Sequence, residues 1–179
     1  MLKKILGVIV LAIAAVLIYA ATKPDTFTLQ RTASIAAPPD KIFPLIADVK
    51  AFNTWNPYAL KDPSAKMAYE GAASGVGAAY SWDSEQLGAG RMEITEASAP
   101  GKVQAKLEFK RPFATTNCVE FTLRPQDTPS GAQTQVTWAM SGPMPYLSKL
   151  MTTFVSMDRM VGADFEAGLA NLKALAEKR

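Results

Sequence analysis

The chain of 179 residues contains no histidine and only one cysteine, and these absences remove whole classes of function. Without histidine, neither a Ser-His-Asp triad nor a Cys-His pair can form, and histidine-based metal sites are excluded as well. A single cysteine cannot form an intramolecular disulfide bond. Cys118 lies in a stretch that alternates apolar and polar residues, so we expect a structural side chain rather than a nucleophile.

The sequence also lacks a strong excess of charge. The formal net charge is +3, but Lys3 and Lys4 precede the first apolar run, and the chain from residue 23 onward carries 17 basic and 16 acidic side chains, a difference of +1. Nucleic-acid binding requires a concentrated basic face, and no block in the body is denser than Lys110-Arg111. We therefore expect no nucleic-acid partner, and nothing in the composition calls for a cofactor or a metal.

Charge is absent altogether from residues 5–21, a run of seventeen residues. A bilayer span needs roughly 17–25 apolar residues. Lys3 and Lys4 before the run and Tyr19 near its end are typical flanks of a span, and the preceding positive charge favours a cytoplasmic N-terminus. This pattern predicts that residues 1–25 are an anchor in the cytoplasmic (inner) membrane of a bacterium, with the body on the exported, periplasmic side.

A cleaved signal peptide is the alternative, because it too begins with basic residues and an apolar run. The run is longer than the roughly 7–15 residues of a signal peptide's apolar region. Cleavage after Ala21 would place Tyr19 at the −3 position, and only cleavage after Thr22 leaves two small residues, Ala20 and Thr22, at the required positions. Under this alternative the body is secreted or periplasmic, so both interpretations predict export.

Residues 26–179 have the pattern of one domain. Phe27–Ile35 alternates apolar and polar residues as a half-buried strand does, and the prolines that follow Ala37 end it. The segment Lys41–Ala47 is helical in pattern, and Asp48 is placed to cap a second short helix that runs to Trp55. Residues 56–63 carry two X-Pro pairs and are expected to form a loop. Further strands are predicted at Met67–Glu70, Ala78–Asp83, Arg91–Thr95, Val103–Phe109, Asn117–Leu123 and Gln135–Met140.

From Pro145 to Arg179 the apolar residues recur at the spacing of an α-helix, and this pattern continues for some thirty residues. An antiparallel sheet with one apolar face must bury that face against another element, and this long helix is the partner that the chain offers. The order predicts an α+β fold in which a curved sheet wraps round the helix and leaves a cavity between them.

The order of short motifs resembles the SRPBCC (START-like, polyketide-cyclase-like) family over residues 26–178, essentially the whole body. The motifs are Ser34-Ile35-x-Ala37-Pro38-Pro39, Trp55-Asn56-Pro57-Tyr58, Asp62-Pro63, Tyr69-Glu70-Gly71, Gly75-Val76-Gly77-Ala78-x-Tyr80-x-Trp82, Gly88-x-Gly90-x-Met92, Leu107-x-Phe109-x-x-Pro112-Phe113, Thr137-Trp138-x-Met140-x-Gly142 and Met160-Val161-Gly162-x-Asp164-Phe165. The resemblance implies the helix-grip fold, a seven-stranded antiparallel sheet round a C-terminal helix, here preceded by one transmembrane helix.

The resemblance implies little about function, because the same fold hosts lipid carriers, hormone receptors and aromatase/cyclases, so function must be argued from the site. We predict a membrane-tethered binding module for a small hydrophobic or lipid-like ligand, with no catalysis assumed. The alternative is a cyclase- or hydrolase-like enzyme acting in the same cavity, which would need acid–base groups there. No pair of carboxylates in the sequence has a spacing that supports it.

Large apolar side chains are the candidates for the cavity wall, since apolar pockets with few polar groups suit hydrophobic ligands. Taken one at a time, each could equally fill a dry core. Two candidates, Trp55 and Tyr58, are expected at the mouth. The others are Tyr80, Trp82, Phe109, Trp138 and Met140 on the sheet, Phe113 in the loop that follows, and Met151, Phe154 and Met157 on the helix.

Overall fold

A seven-stranded antiparallel sheet is the main feature of the computed structural model, which describes residues 1–128 and 131–178. The strands are β1 (Thr26–Ile35), β2 (Lys66–Gly71), β3 (Ala78–Ser84), β4 (Gly88–Ser98), β5 (Lys102–Arg111), β6 (Thr115–Thr128) and β7 (Gly131–Pro143). Their spatial order is β1-β7-β6-β5-β4-β3-β2, so the first strand of the sheet pairs with the last. Every predicted strand is present, and most are longer than predicted.

Six helices accompany the sheet in the described part of the chain. They are α1 (Leu2–Ala21), α2 (Pro39–Ala47), α3 (Val49–Asn53), α4 (Pro57–Lys61), α5 (Tyr146–Met151) and α6 (Met157–Ala176). With α6 packed on the sheet, the helix-grip architecture predicted from the sequence is confirmed.

Apolar and polar residues alternate along the strands, so one face of the sheet is apolar and forms part of the core. In β6, Val119, Phe121 and Leu123 are all buried, and the residues between them are half-exposed. Phe121 pairs in register with Trp138 of β7, and Val119 with Met140. Because successive side chains point to opposite faces, these pairs form one continuous inner surface. The outer surface holds the polar residues, as the pattern predicts.

Helix α6 covers this inner surface with a narrow apolar stripe. Phe165, Leu169 and Leu172 are buried at helical spacing, and the Phe165 ring stacks on Trp138 with centroids 4.1 Å apart. Gly168 allows the closest approach, since a Cβ atom there would lie 2.6 Å from Cζ3 of Trp138 and 2.9 Å from Cδ of Pro57. Arg31 of the edge strand β1 binds α6 through ion pairs with Asp158 at 2.6 Å and Glu166 at 2.7 Å.

The prediction of one long C-terminal helix from Pro145 to Arg179 is wrong, because the chain breaks it into α5 and α6. Thr152 and Thr153 both donate their hydroxyls to the carbonyl of Lys149, at 3.1 and 3.0 Å. Such side-chain bonds to the backbone compete with helix continuation. Ser156 then caps α6 by accepting from the Arg159 amide at 3.3 Å. Helix α6 ends at Ala176, and Arg179 lies outside the described residues.

The expected loop at residues 56–63 contains a short helix, α4. Pro57 occupies its first turn, where a missing N–H costs nothing, and Asn56 caps it by accepting from the Tyr58 amide at 3.2 Å. Asp48 caps α3 as predicted, accepting from the amides of Lys50 and Ala51 at 2.7 and 3.1 Å. The two caps fix where α3 and α4 begin, and α2, α3 and α4 follow one another along the chain with only short connections between them.

Helix α1 extends from the body with most of its apolar side chains exposed. Among its described side chains only Ala20 is buried, and residues 3–21 are long and apolar enough to cross a membrane. Its C-terminal end contacts α5. Length and composition would also suit a signal sequence, which is the second of the two expectations from the sequence.

Candidate functional site

A cavity of about 260 Å³ lies between the sheet, α4 and α6. Fully buried lining residues form its floor, and half-buried ones mark its open side. The floor is made by Phe52, Asn56, Tyr80, Met92, Val119, Trp138, Met140 and Phe165, and the open side by Tyr58, Ala59, Ala65, Met67, Trp82, Leu87, Leu107, Phe109 and Val161. None of these described lining residues carries a formal charge. The wall is therefore suited to an apolar ligand.

Two polar groups meet at the floor of the cavity. The Asn56 side-chain amide donates to the Tyr80 hydroxyl at 3.3 Å and to Oδ1 of Asn53 at 3.0 Å. Burial raises the pKa of Tyr80, with a smaller contribution from Tyr69. The Tyr80 hydroxyl thus remains protonated at neutral pH, and it is available as a hydrogen-bond donor to a ligand, because its bond with Asn56 uses only its acceptor side.

A second polar group stands at the open side, where α4 faces α6. Burial raises the pKa of Tyr58, and the nearby Asp164 carboxylate raises it further. Lys61 binds Asp164 at 2.5 Å and places its ammonium 5.6 Å from the centre of the Tyr58 ring. These three side chains link the two helices beside the opening. Of the three, only Tyr58 lines the cavity, and Lys61 and Asp164 are paired with each other beside it.

Asp62 secures the end of α4 to the sheet. It is buried, and its carboxylate accepts from the amide and hydroxyl of Ser64 at 3.0 and 2.5 Å and from the Ser84 hydroxyl at 2.5 Å. These hydrogen bonds, with that of the Ser64 side chain the largest, lower the pKa of Asp62 despite its burial. The sequence predicted a loop over residues 56–63, and the structure adds the hydrogen bond from Ser84 of β3 to Asp62 at its end.

Trp138 is locked in an aromatic cluster at the base of the cavity. Its ring stacks on Phe165, lies 5.1 Å from Phe121 and meets Trp55 edge-on at 5.8 Å. Its indole N–H is buried, with no hydrogen-bond partner among the described residues. Leaving a buried donor unpaired costs about 1–3 kcal/mol. The ring is therefore held by packing alone.

The structure brings six of the eleven sequence-predicted site residues together around the cavity: Tyr58, Tyr80, Trp82, Phe109, Trp138 and Met140. It places the other five elsewhere. Trp55 was expected at the mouth, and it is instead fully buried behind the wall, where its indole N–H donates to the Leu45 carbonyl at 2.8 Å. Trp55 and Tyr58 are only three residues apart. The chain enters α4 between them, at the cap residue Asn56, so Trp55 packs behind the wall while Tyr58 lines the cavity.

The remaining four predicted residues are outside the cavity. Phe113 is 60% exposed because it follows the last pairing of β5 with β6 and so lies beyond the end of the sheet. Met151 and Phe154 are exposed because the helix is broken at this point, and α5 does not continue along the sheet. Met157, half-buried at the first turn of α6, is not part of the lining.

Sequence reasoning missed about two thirds of the lining. Met92, Leu107 and Val119 belong to the same alternating rows as the predicted residues, so the period of two could have found them. Ala59, Ala65 and Leu87 lie on a short helix and in turns, where no periodicity marks an inward direction. Phe165 was part of the recognised helical stripe, but only the close packing at Gly168 brings it to the cavity.

A second depression, about 520 Å³ and open to solvent, extends across the sheet from β1 over β7, β6 and β5 to Thr95 of β4. Its lining mixes apolar surface with polar side chains, among them Thr28, Lys106 and Ser141, and includes the half-buried Cys118. The Cys118 sulfur accepts from the Gln104 amide at 2.9 Å. Among the described residues no group of three Cys, Asp or Glu side chains could hold a metal ion. The apolar cavity is the better candidate for a binding site.

Comparison with known proteins agrees with this architecture. A family model described as polyketide cyclase / dehydrase and lipid transport matches residues 26–177. The chain belongs to this family. No curated protein matches the sequence.

Several solved structures share the fold at low sequence identity. Protein MLL2253 from Mesorhizobium loti is 19% identical, with 85% of this chain and 100% of that chain covered and a TM-score of 0.57. Protein CV1439 from Chromobacterium violaceum is 18% identical, with 87% and 100% covered and a TM-score of 0.54. DynU16, described as a protein of the dynemicin biosynthetic locus, is 17% identical, with 87% of this chain and 48% of that chain covered and a TM-score of 0.54. At these identities the likeness establishes the fold alone.

Proposed function

We propose that this family member is a membrane-tethered module that binds a small hydrophobic or lipid-like molecule without transforming it. The observation that carries the proposal is the cavity itself, whose described wall is uncharged and rich in aromatic and Met side chains. Met adapts to ligands of varied shape. The mention of lipid transport in the family's description supports the same class of ligand.

The size of the cavity limits the ligand. Pockets for drug-sized ligands measure about 300–1,000 Å³, and this one, at about 260 Å³, is just below that range. A compact apolar molecule or part of one acyl chain matches it better than a whole diacyl lipid. A polar end group would find the Tyr58 side chain in the lining, with the Lys61–Asp164 ion pair beside it.

Helix α1 supports the tether and the location. Residues 3–21 can cross a membrane, and Lys3 and Lys4 precede them. By the positive-inside rule we propose a single pass through the inner membrane with the cavity on the periplasmic side. A cleaved signal would leave the same body free in the same compartment.

Native mass spectrometry of the full chain, purified in a mild detergent, tests the proposal. Wild-type protein is expected to retain an apolar adduct or to bind an added fatty acid. Ala59→Phe places a large ring at the half-buried open side and should abolish the adduct. Leu60→Phe is the matched control, since Leu60 is 51% exposed on the same helix and does not line the cavity. Absence of any adduct or probe binding in the wild type would refute the proposal, as would equal binding by Ala59→Phe.

Catalysis in the same cavity is the second candidate function. The specific observation in its favour is the nearby Asp164 carboxylate, which raises the pKa of the Tyr58 phenol, since a carboxylate near a phenol is a possible acid–base pair. The family's description also names cyclase and dehydrase activities. A released ligand whose mass or chromatographic retention changes with time in the wild type and stays constant in Tyr58→Phe would establish this alternative. Constant mass and constant retention in both proteins support simple binding, and retention is needed because a ring closure without loss of water conserves mass.

A further inference from the structure

An exposed apolar surface surrounds the break between α5 and α6. Phe154 is 71% exposed, and five neighbours have between 46 and 52% of their surface exposed. We call these residues the apolar patch: Tyr146, Leu147, Met151, Phe154, Val155 and Met160. A concentration of large apolar side chains on one short segment differs from the scattered exposure of ordinary surfaces and marks an interaction site.

The apolar patch is held against the end of α1. The Tyr146 hydroxyl donates to the Leu17 carbonyl at 2.9 Å. The Lys149 ammonium binds the Asp25 carboxylate at 2.5 Å, and the Lys23 ammonium donates to the Thr152 hydroxyl at 3.4 Å. These contacts fix α5 beside the last turn of α1 and beside the short linker that follows it. Any membrane that α1 crosses therefore has its surface at the level of the patch.

The position of the Tyr146 contact along α1 follows from the geometry of an α-helix. A helix rises 1.5 Å per residue, so the Leu17 carbonyl is about 6 Å inside the C-terminal end of α1. Tyr146 reaches that carbonyl from outside the helix, and Tyr19 is exposed on α1 nearby. Tyrosines at this level are typical of the membrane–water interface, where the ring is buried and the hydroxyl stays polar.

The charges around the patch match an uncharged lipid interface. Residues 143–157 contain no acidic side chain and one basic side chain, Lys149, whose ammonium is neutralised by Asp25. The first acidic residue beyond them, Asp158, is paired with Arg31 at 2.6 Å. Arg159, directly before the patch residue Met160, is exposed and forms no ion pair among the described residues; a long basic side chain can extend to the polar headgroups while its stem lies on apolar surface. A charged side chain opposes insertion into hydrocarbon, and within residues 143–157 the described residues include no unpaired one.

The patch ends close to the cavity. Met160 belongs to the patch, and the next residue of α6, Val161, lines the open side of the cavity. The two side chains point about 100° apart on the helix, and their positions along its axis differ by about 1.5 Å. Contact of the patch with lipid would bring the cavity opening next to the bilayer.

We propose that the apolar patch inserts into the interface of the same bilayer that α1 crosses and so presents the cavity opening to the lipid surface. This inference rests on the proposed function, because it takes α1 to be a membrane anchor. It adds a second, peripheral membrane contact, with lipid as the occupant of the patch. A ligand would then pass between bilayer and cavity without crossing bulk water.

Fluorescence quenching by labelled lipid tests the insertion in the full chain. A Cys118→Ser background removes the native thiol, and Phe154→Cys carries an environment-sensitive fluorophore at the centre of the patch. Gln126→Cys is the matched control, since Gln126 is exposed and pairs with Gln133, ten residues along β7 from Pro143. That separation is about 30 Å at the rise of a strand. Both proteins are reconstituted into phosphatidylcholine vesicles with and without nitroxide-labelled phosphatidylcholine.

We expect a blue-shifted emission at position 154 that the nitroxide lipid quenches, and an unshifted, unquenched emission at position 126. Equal, aqueous emission at both positions would overturn the inference. A blue shift at 154 that persists in detergent and resists the nitroxide lipid would also overturn it, because a second protein chain would then cover the patch. The measurement is independent of ligand binding. A quenched label without any cavity adduct would count against the proposed function alone, and an adduct with an aqueous label would count against this inference alone.

Discussion

Gly168→Ala probes the contact on which the helix-grip packing depends. The new Cβ atom would lie 2.6 Å from Cζ3 of Trp138 and 2.9 Å from Cδ of Pro57. Ordinary carbon contacts are about 3.5–4.0 Å, so either α6 or the ring must move by roughly 1 Å. The ring has little freedom, because Phe165 stacks on it and Phe121 and Trp55 bound its other sides.

Two opposing terms decide whether this substitution raises or lowers the free energy of unfolding. Overpacking a core costs about 1–3 kcal/mol. Replacing glycine by alanine within a helix returns about 1 kcal/mol of helix propensity. We therefore expect Gly168→Ala to lower the free energy of unfolding by about 1 kcal/mol, with the crowding larger than the propensity gain. Displacement of the Trp138 ring should also change the near-ultraviolet circular dichroism, since this signal depends on the fixed contacts of the ring with Phe165 and Phe121.

Urea unfolding in detergent, followed by tryptophan fluorescence, measures the effect. Ala167→Gly is the matched control, because Ala167 is exposed on the same helix and reports the propensity term alone. It should lose about 1 kcal/mol. If Gly168→Ala were instead more stable than the wild type, by as much as Ala167→Gly is less stable, no crowding would exist and the close approach of α6 to the sheet would be refuted.

Three further outcomes follow from the described contacts. Asp62→Asn should lower the urea midpoint at neutral pH; because the folded pKa of Asp62 is depressed, its contribution is present above the unfolded value of about 3.9 and is lost as the pH falls through the lower folded pKa. The gap between variant and wild type should therefore close in acid, and a gap independent of pH would contradict the carboxylate's role. Phe113→Ser should leave both adduct binding and stability unchanged, since Phe113 is 60% exposed; loss of the adduct in the mass spectrum would return this residue to the site. Cys118→Ser should unfold within about 1 kcal/mol of the wild type in the same urea assay, as partly exposed positions do, and a larger loss would show that the Gln104 contact matters more than its geometry suggests.

The fold was predictable because its main signals are local. The alternation of Val119, Phe121 and Leu123 requires only that one face of a strand be buried, and the structure buries all three. The Asp48 cap is likewise a matter of neighbouring amides. Strand ends were less predictable, since β6 extends past the last apolar residue by backbone pairing alone. The break after Met151 was missed because apolar spacing continues through it, and only the threonine and serine hydrogen bonds interrupt the helix.

What the sequence by itself determined is the position of every strand, the apolar face of the later strands, and the absence of histidine chemistry. The tertiary structure decided which apolar residues surround a space and which fill or leave the core. Trp55 and Tyr58 have the same sequence signal, and one is packed behind the wall while the other borders the opening. Phe154 and Phe165 belong to one stripe, and one is exposed while the other stacks on Trp138. Periodicity reports the direction of a side chain relative to its own element, but a cavity is defined by the distance between elements, and that distance is set by contacts such as Gly168 on Trp138.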